Sequence, residues 1–133
     1  DAIEEHGVFN GKAWDFVDFI GPVLKALKVT MHSISNTLIE LQGDSAAVET
    51  YVTAYHLADN PDGTQTDLIV GGRYLDRFER RGAEWRIAKR IFVMDWNQNP
   101  KATVEWEAGW YGQLNVRGRN DKDDPSYRLF RGK

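Results

Sequence analysis

Apolar positions near the start of the chain recur at spacings of three and four: Trp14, Phe16, Val17, Phe19, Ile20, Val23, Leu24 and Leu27. That period predicts a helix over about 11–26, which Pro22 is expected to kink or to divide. Before it, Asp1 to Glu5 reads as a first short strand, and Gly7 to Gly11 leads into the helix. From Val29 the period changes to two. Val29 to Leu41, Ala46 to Leu57, Thr66 to Arg80 and Glu84 to Trp96 read as four long strands, rich in β-branched and aromatic residues. They are separated by turn chemistry at Gln42-Gly43-Asp44-Ser45, Asp59-Asn60-Pro61-Asp62-Gly63 and Arg81-Gly82-Ala83. Connections this short imply antiparallel hairpins, because parallel pairs need longer crossovers.

Two departures from simple alternation shape the expected sheet. Gly71-Gly72 interrupts a strand and predicts a bulge or sharp bend. The last strand is apolar on both sides, with Ile87, Ile91 and Val93 on one and Ala88, Phe92, Met94 and Trp96 on the other. One side is expected to meet the helix layer and the other a partner subunit, since exposing both would leave a large apolar patch. The expectation is a homo-oligomer, dimer or trimer. Beyond Asn97 the pattern dissolves. Thr103 to Leu114 suggests a short helix carrying Trp106, Trp110 and Tyr111, and Asn115 to Lys133 an extended polar tail whose Tyr127, Leu129 and Phe130 tuck against a surface.

Composition narrows the chemistry. With 133 residues the chain has the length of one domain. A net charge of −3 offers no basic surplus for nucleic acid. No apolar run reaches the ~20 residues of a membrane span, and the polar start does not read as a signal peptide, so the default address is cytoplasmic. There is no cysteine, which removes thiol nucleophiles, disulfides and thiolate metal sites. The three histidines, His6, His32 and His56, have no H-x-H or H-x-x-x-H spacing, so no dedicated metal site is expected. Phosphate-cradling glycine loops and a G-x-S-x-G elbow are also missing.

The residues left to carry chemistry are few. His32 alternates with Ile34, Asn36 and Leu38 on one face of the first long strand. It is either a hydrogen-bonded core histidine or a general base, since imidazole titrates near neutral pH. Arg90 lies in phase with Ala88, Phe92, Met94 and Trp96. A guanidinium there needs an anion, supplied either by a structural carboxylate or by charge developing on a substrate. Arg73, Arg77, Glu79, Arg80 and Arg81 read as a salt-bridged hairpin end. His6 is read as part of a frayed start with no special role. His56 belongs either to a pocket rim or to the surface.

The stretches T-M-H-S-I-S-N-T-L-I-E-L, G-D-S-A-A-V-E-T-Y, G-G-R-Y-L-D-R-F-E-R-R and E-W-R-I-A-K-R together resemble the SnoaL-like branch of the nuclear transport factor 2-like superfamily. That branch includes hexachlorocyclohexane dehydrochlorinase, bile-acid 7α-dehydratase and scytalone dehydratase. The resemblance runs from about Asp1 to Trp96, and the D-D-P-S-Y of the tail recurs among bacterial members. It implies an α+β cone, a strongly curved sheet wrapped around a helix-closed apolar pocket, suited to a hydrophobic cyclic or aromatic molecule. It further implies cofactor-independent elimination or isomerisation, with His32 as base and Arg90 assisting the departing or developing anion. Tyr51, Tyr55 and His56 would be proton relays, Asn36 would complete the H-x-x-x-N context, and Trp14, Phe19, Ile34, Phe92, Met94 and Trp96 would wall the pocket. In those enzymes an aspartate on the first helix orients the histidine, much as in a Ser-His-Asp triad. That helix is expected before Asp1, so the resemblance names no acid for His32 here. The same fold also serves as a non-catalytic binding domain, or as a structural subunit like the small subunit of ring-hydroxylating dioxygenases.

Overall fold

The computed structural model describes residues 1–130. Strands β1 (Ile3–His6) and β2 (Phe9–Lys12) form a small hairpin, followed by helix α1 (Ala13–Ala26). Four long strands come next: β3 (Val29–Gln42), β4 (Ser45–Asp59), β5 (Gln65–Arg81) and β6 (Glu84–Gln98). The predicted helix and all four long strands are present, with ends shifted by one or two residues. All six strands join one sheet in the order β2-β1-β6-β5-β4-β3. The long hairpins are antiparallel, as their short turns require, and β1 lies parallel to β6. Helix α1 carries Pro22 without ending there. It packs beside the β1–β2 hairpin, where Phe16 and Phe19 meet Phe9.

The sheet is creased by three irregularities. At Gly71–Gly72 the β5–β6 register shifts, as the paired glycines predict. A Cβ on Gly71 would stand 2.0 Å from Trp96 Cε2 and would have to displace that side chain, and one on Gly72 would stand 2.3 Å from the Val93 carbonyl oxygen, which is backbone. A second shift lies between Arg77 and Phe78. The two shifts correct the simple alternation expected for β6. Ile87 pairs with Phe78 on the face that carries Arg90, while Trp96 pairs with Gly71 on the opposite face. The third irregularity is in β3, where Ser35 opposes Tyr51 and Thr37 opposes Thr50, leaving Asn36 as an extra residue with φ of +45°. Asn36 therefore does not share the alternation of its neighbours, and beyond it Thr37, Ile39 and Leu41, rather than Leu38, continue the face of His32 and Ile34. Leu38 instead lines a shallow groove on the other side with Glu40, Leu75 and Lys89.

The buried apolar core is small, namely Ala46, Val52, Ala54, Leu57 and Ala88. Large apolar side chains are left exposed on the curved face, among them Ile34, Ile39, Leu41 and Met94. The tail differs from expectation in two places. Within Thr103 to Leu114 only a single 3-10 turn forms, at Tyr111–Gln113. The tail is not wholly extended: Asp124 accepts the Ser126 backbone N–H and opens helix α2 (Pro125–Phe130), an Asp-Pro start of the kind that favours a helix N-terminus. The last three residues of the expected tail lie outside the described residues. Asn120 ties the tail to the body through the Leu24 carbonyl. Among the described residues no helix is long and apolar enough to cross a membrane.

Candidate functional site

Register decides which side chains share the curved face. Thr30 pairs with His56 and His32 with Ala54, so the two histidines stand on one side of the β3–β4 ladder. Asp76 pairs with Arg90 and Tyr74 with Phe92 on that same side. Through the parallel pairing of β1 with β6, Glu4 lies beside Arg90 and His6 beside Phe92. Beside the Asp76–Arg90 pair an open cleft of about 650 Å³ is lined by Ile34, Thr37, Ile39, Tyr74, Trp85 and Arg90, among others, and none of the three histidines lines it. Its wall is mainly aliphatic and aromatic, as suits an apolar ligand with few polar anchors.

Arg90 is fixed rather than free. Its Nε and one terminal nitrogen donate to the two oxygens of Asp76 at 2.8 and 2.7 Å. The Asp76 side chain is 3 % exposed and that of Arg90 30 %. The guanidinium also lies over the Tyr74 ring, 4.1 Å from its centroid, an arrangement in which the ring quadrupole attracts the cation. Hydrogen bonding from Asp76 raises the Arg90 pKa above its ordinary value. Burial raises that of Tyr74, partly opposed by the nearby Arg90 charge. Of the alternatives the sequence leaves open for Arg90, the structural carboxylate is present as Asp76. Arg90 forms a structural ion pair, and its remaining edge borders the cleft.

The His32 Nε2 lies 3.1 Å from the His56 Nε2, with the rings edge to face. One ring donates and the other accepts. Partial burial lowers the basicity of both; the charge of His6 adds to the effect on His32, and that of His32 to the effect on His56. Both rings are thus held more firmly in the neutral form, which can take up a proton. Two imidazoles could offer two metal donors, but among the described residues no group of three or more His, Asp or Glu is arranged to hold an ion.

His32 and Arg90 do not touch. Their rows are six residues apart along β4, at Ala54 and Val48, about 20 Å on a flat strand. The crease shortens that span, and His6 occupies the row between, stacked against Phe92 at 4.4 Å and Phe16 at 4.9 Å. The start expected to be frayed is instead strand β1, which carries this histidine at its end. The alternation of Glu4 and His6 before a turn was the available sign.

The remaining expected site residues divide. Ile34, Phe92, Met94 and His56 lie on the face of His32 and Arg90. Tyr51, Tyr55 and Trp96 do not, because odd positions of β4 and the bulged end of β6 point to the convex side. There Tyr55 donates to Asp67 at 2.8 Å, and burial together with that carboxylate pushes its pKa up to about 12. Tyr51 lies near Arg73, which bridges Glu49 and Asp95. Trp14 is 75 % exposed on α1, and Phe19 packs on Phe9 instead of lining the cleft. The arginine-rich hairpin end is salt-bridged as expected, Arg80 to Asp44 and Arg81 to Glu79 and Asp1.

Known structures share this architecture. A hexachlorocyclohexane dehydrochlorinase, LinA type 2, superposes with a TM-score of 0.66 at 18 % identity, covering 83 % of this chain and 74 % of its own. A proposed scytalone dehydratase from Novosphingobium aromaticivorans gives 0.59 at 20 % identity, covering 79 % and 69 %. The beta subunit of a proposed aromatic-ring-hydroxylating dioxygenase from the same organism gives 0.52 at 19 % identity, covering 71 % and 69 %. At these identities the likeness is one of fold, the α+β cone of the nuclear transport factor 2-like superfamily. No curated protein sequence matches the chain. The SnoaL-like domain matches residues 2–91, which span the helix, the crease and the Arg90–Asp76 pair, and the chain belongs to that family.

Proposed function

We propose that this chain is a cofactor-independent lyase of the elimination type, or an isomerase, acting on a hydrophobic cyclic or aromatic molecule. The observation that carries the reading is one curved face that bears both a histidine pair and a fixed guanidinium, the guanidinium lining an apolar cleft. His32 takes a proton from carbon, leaving its Nε2 bond to His56 or using Nδ1. Arg90 sits where negative charge on the departing group is stabilised without reorganisation. The names of the dehydrochlorinase and dehydratase structures support the reaction class. Self-association belongs to the same reading, because Met31 and Leu38 leave apolar surface on the other face as well; sedimentation velocity reads it directly.

The test uses 5-nitrobenzisoxazole, whose isoxazole ring opens to a coloured phenolate once a base removes the C–H proton of that ring, and hexachlorocyclohexane, followed by chloride release. Turnover above that of an equal concentration of imidazole is expected. His32→Ala should lower it by about 10²–10⁴-fold, and Tyr55→Phe should leave it unchanged. If neither compound turns over, or if His32→Ala matches the parent, the lyase reading is wrong. One observation favours the second reading, a binding domain or structural subunit: the mutual bond of His32 and His56 occupies both Nε2 atoms, as a purely structural pair would. In that case an apolar ring compound quenches tryptophan fluorescence without being consumed.

A further inference from the structure

The curved face holds a third imidazole, His6, that the reading above does not use, and it is paired with a carboxylate. Glu4 is almost buried, its residue 7 % exposed. Its Oε1 lies 3.2 Å from His6 Nδ1. A carboxylate can only accept, so Nδ1 donates and the tautomer is fixed. Nε2 is then the ring's free edge. The ring is clamped between Phe16 and Phe92, with interplanar angles of 25° and 13°. Such stacking holds orientation while leaving the edge open, and the side chain stays 30 % exposed.

Placement gives the pair its meaning. Glu4 is register partner to Arg90, and Phe92, on which His6 stacks, is register partner to Tyr74. The Glu4 charge is felt at both Arg90 and Tyr74, and the His6 charge at His32. His6 thus stands on the strand beside the anion-stabilising arginine, across the sheet from the proposed base on β3. An elimination that expels a basic leaving group needs two proton movements, one off carbon and one onto that group, and a base at His32 supplies the first.

We propose that His6, oriented by Glu4, is a second catalytic residue of this site, the acid that protonates the leaving group, with Glu4 as its positioning residue. The inference rests on the lyase reading. In the step, the C–H bond breaks and its proton goes to His32. The electron pair forms the new π bond, the bond to the leaving group breaks, and that group takes the proton from His6 Nε2. The site ends with His32 protonated and His6 neutral, and exchange with water restores both. The step requires His6 to enter it as the imidazolium, with the Glu4 carboxylate as its neighbouring counter-charge.

An acid matters most when the leaving group is a poor one, and this sets the test. Ring opening is compared for 5-nitrobenzisoxazole, which releases a stable phenolate, and for unsubstituted benzisoxazole, which releases a basic one. His6→Gln should slow the unsubstituted compound by about 10²-fold and the nitro compound several-fold less. His6→Phe, which keeps the stack with Phe16 and Phe92, should reproduce this and guards against a folding defect. Glu4→Gln should give the same leaving-group dependence with an altered acid limb in its pH–rate profile, and Glu4→Asp should recover part of the rate. His32→Ala should slow both compounds alike. If the His6 variants slow both equally, or neither, while His32→Ala is slow, the inference fails and the lyase reading stands. If the parent protein opens neither ring, the inference falls, and the lyase reading falls with it unless hexachlorocyclohexane still releases chloride.

Discussion

Replacing Arg90 with methionine separates its structural work from its chemical work. Both oxygens of Asp76 are taken by Arg90, and that carboxylate is 3 % exposed. Removing the guanidinium strands a buried negative charge, a change that costs about 3–5 kcal/mol. The lost stacking on Tyr74 adds about 0.5–1 kcal/mol. The opposite truncation, Asp76→Asn, is milder because Arg90 is 30 % exposed and can turn toward water while keeping its ring contact. The double variant Asp76→Leu/Arg90→Met removes both charges and should recover most of the loss, since an apolar pair of similar volume often replaces a buried ion pair at little cost. Urea unfolding followed by tryptophan fluorescence reads all four proteins, with the slope checked for constancy. Arg90→Met falling within 1 kcal/mol of the parent, or the double variant being as unstable as the single, would refute the reasoning.

Two further outcomes follow from the crease and the histidine pair. Gly72→Ala should destabilise by about 2–3 kcal/mol, more than Gly71→Ala, because its Cβ meets the Val93 carbonyl oxygen, whereas at Gly71 the obstacle is a side chain, Trp96, that can shift; equal urea midpoints for the two variants would count against this. Since His32 and His56 both lie below the ordinary value of 6.5, the unfolded chain binds protons before the native one does. Their contribution to stability is full above about pH 6.5 and declines as the pH falls toward their native values; a urea midpoint that stays flat from pH 7 to pH 5 would contradict it, and His56→Gln should reduce the slope.

Much of the fold was legible because period is a local property. The change from a spacing of three and four to one of two marks α1 and β3–β6, and Gly71-Gly72 announces its own crease. What periodicity could not carry was phase. Counting alternate residues from His32 predicts Leu38 on the cleft side, and counting from Arg90 predicts Trp96 there. Each count crosses a bulge and comes out on the wrong face. Tyr51 and Tyr55, expected as proton relays with the lyase reading and not from any count of alternate residues, lie at odd positions of β4, whose even positions face His32. His6 was missed for a different reason. Four-residue strands have little periodic signal, and only the parallel pairing with β6, a contact more than eighty residues distant in sequence, gives Glu4 and His6 their neighbours.

Asn36 shows how much one position can decide for others. Its φ of +45° is a conformation that asparagine tolerates and β-branched residues resist. The residue acts as a parity bit for the strand, since the three residues facing the cleft beyond it hold their places only while it stays out of the ladder. Valine there would favour the extended backbone and draw position 36 back into pairing. Glu40 would then turn toward the cleft and Ile39 and Leu41 away, so a wall that is now greasy would become acidic without any wall residue having been altered.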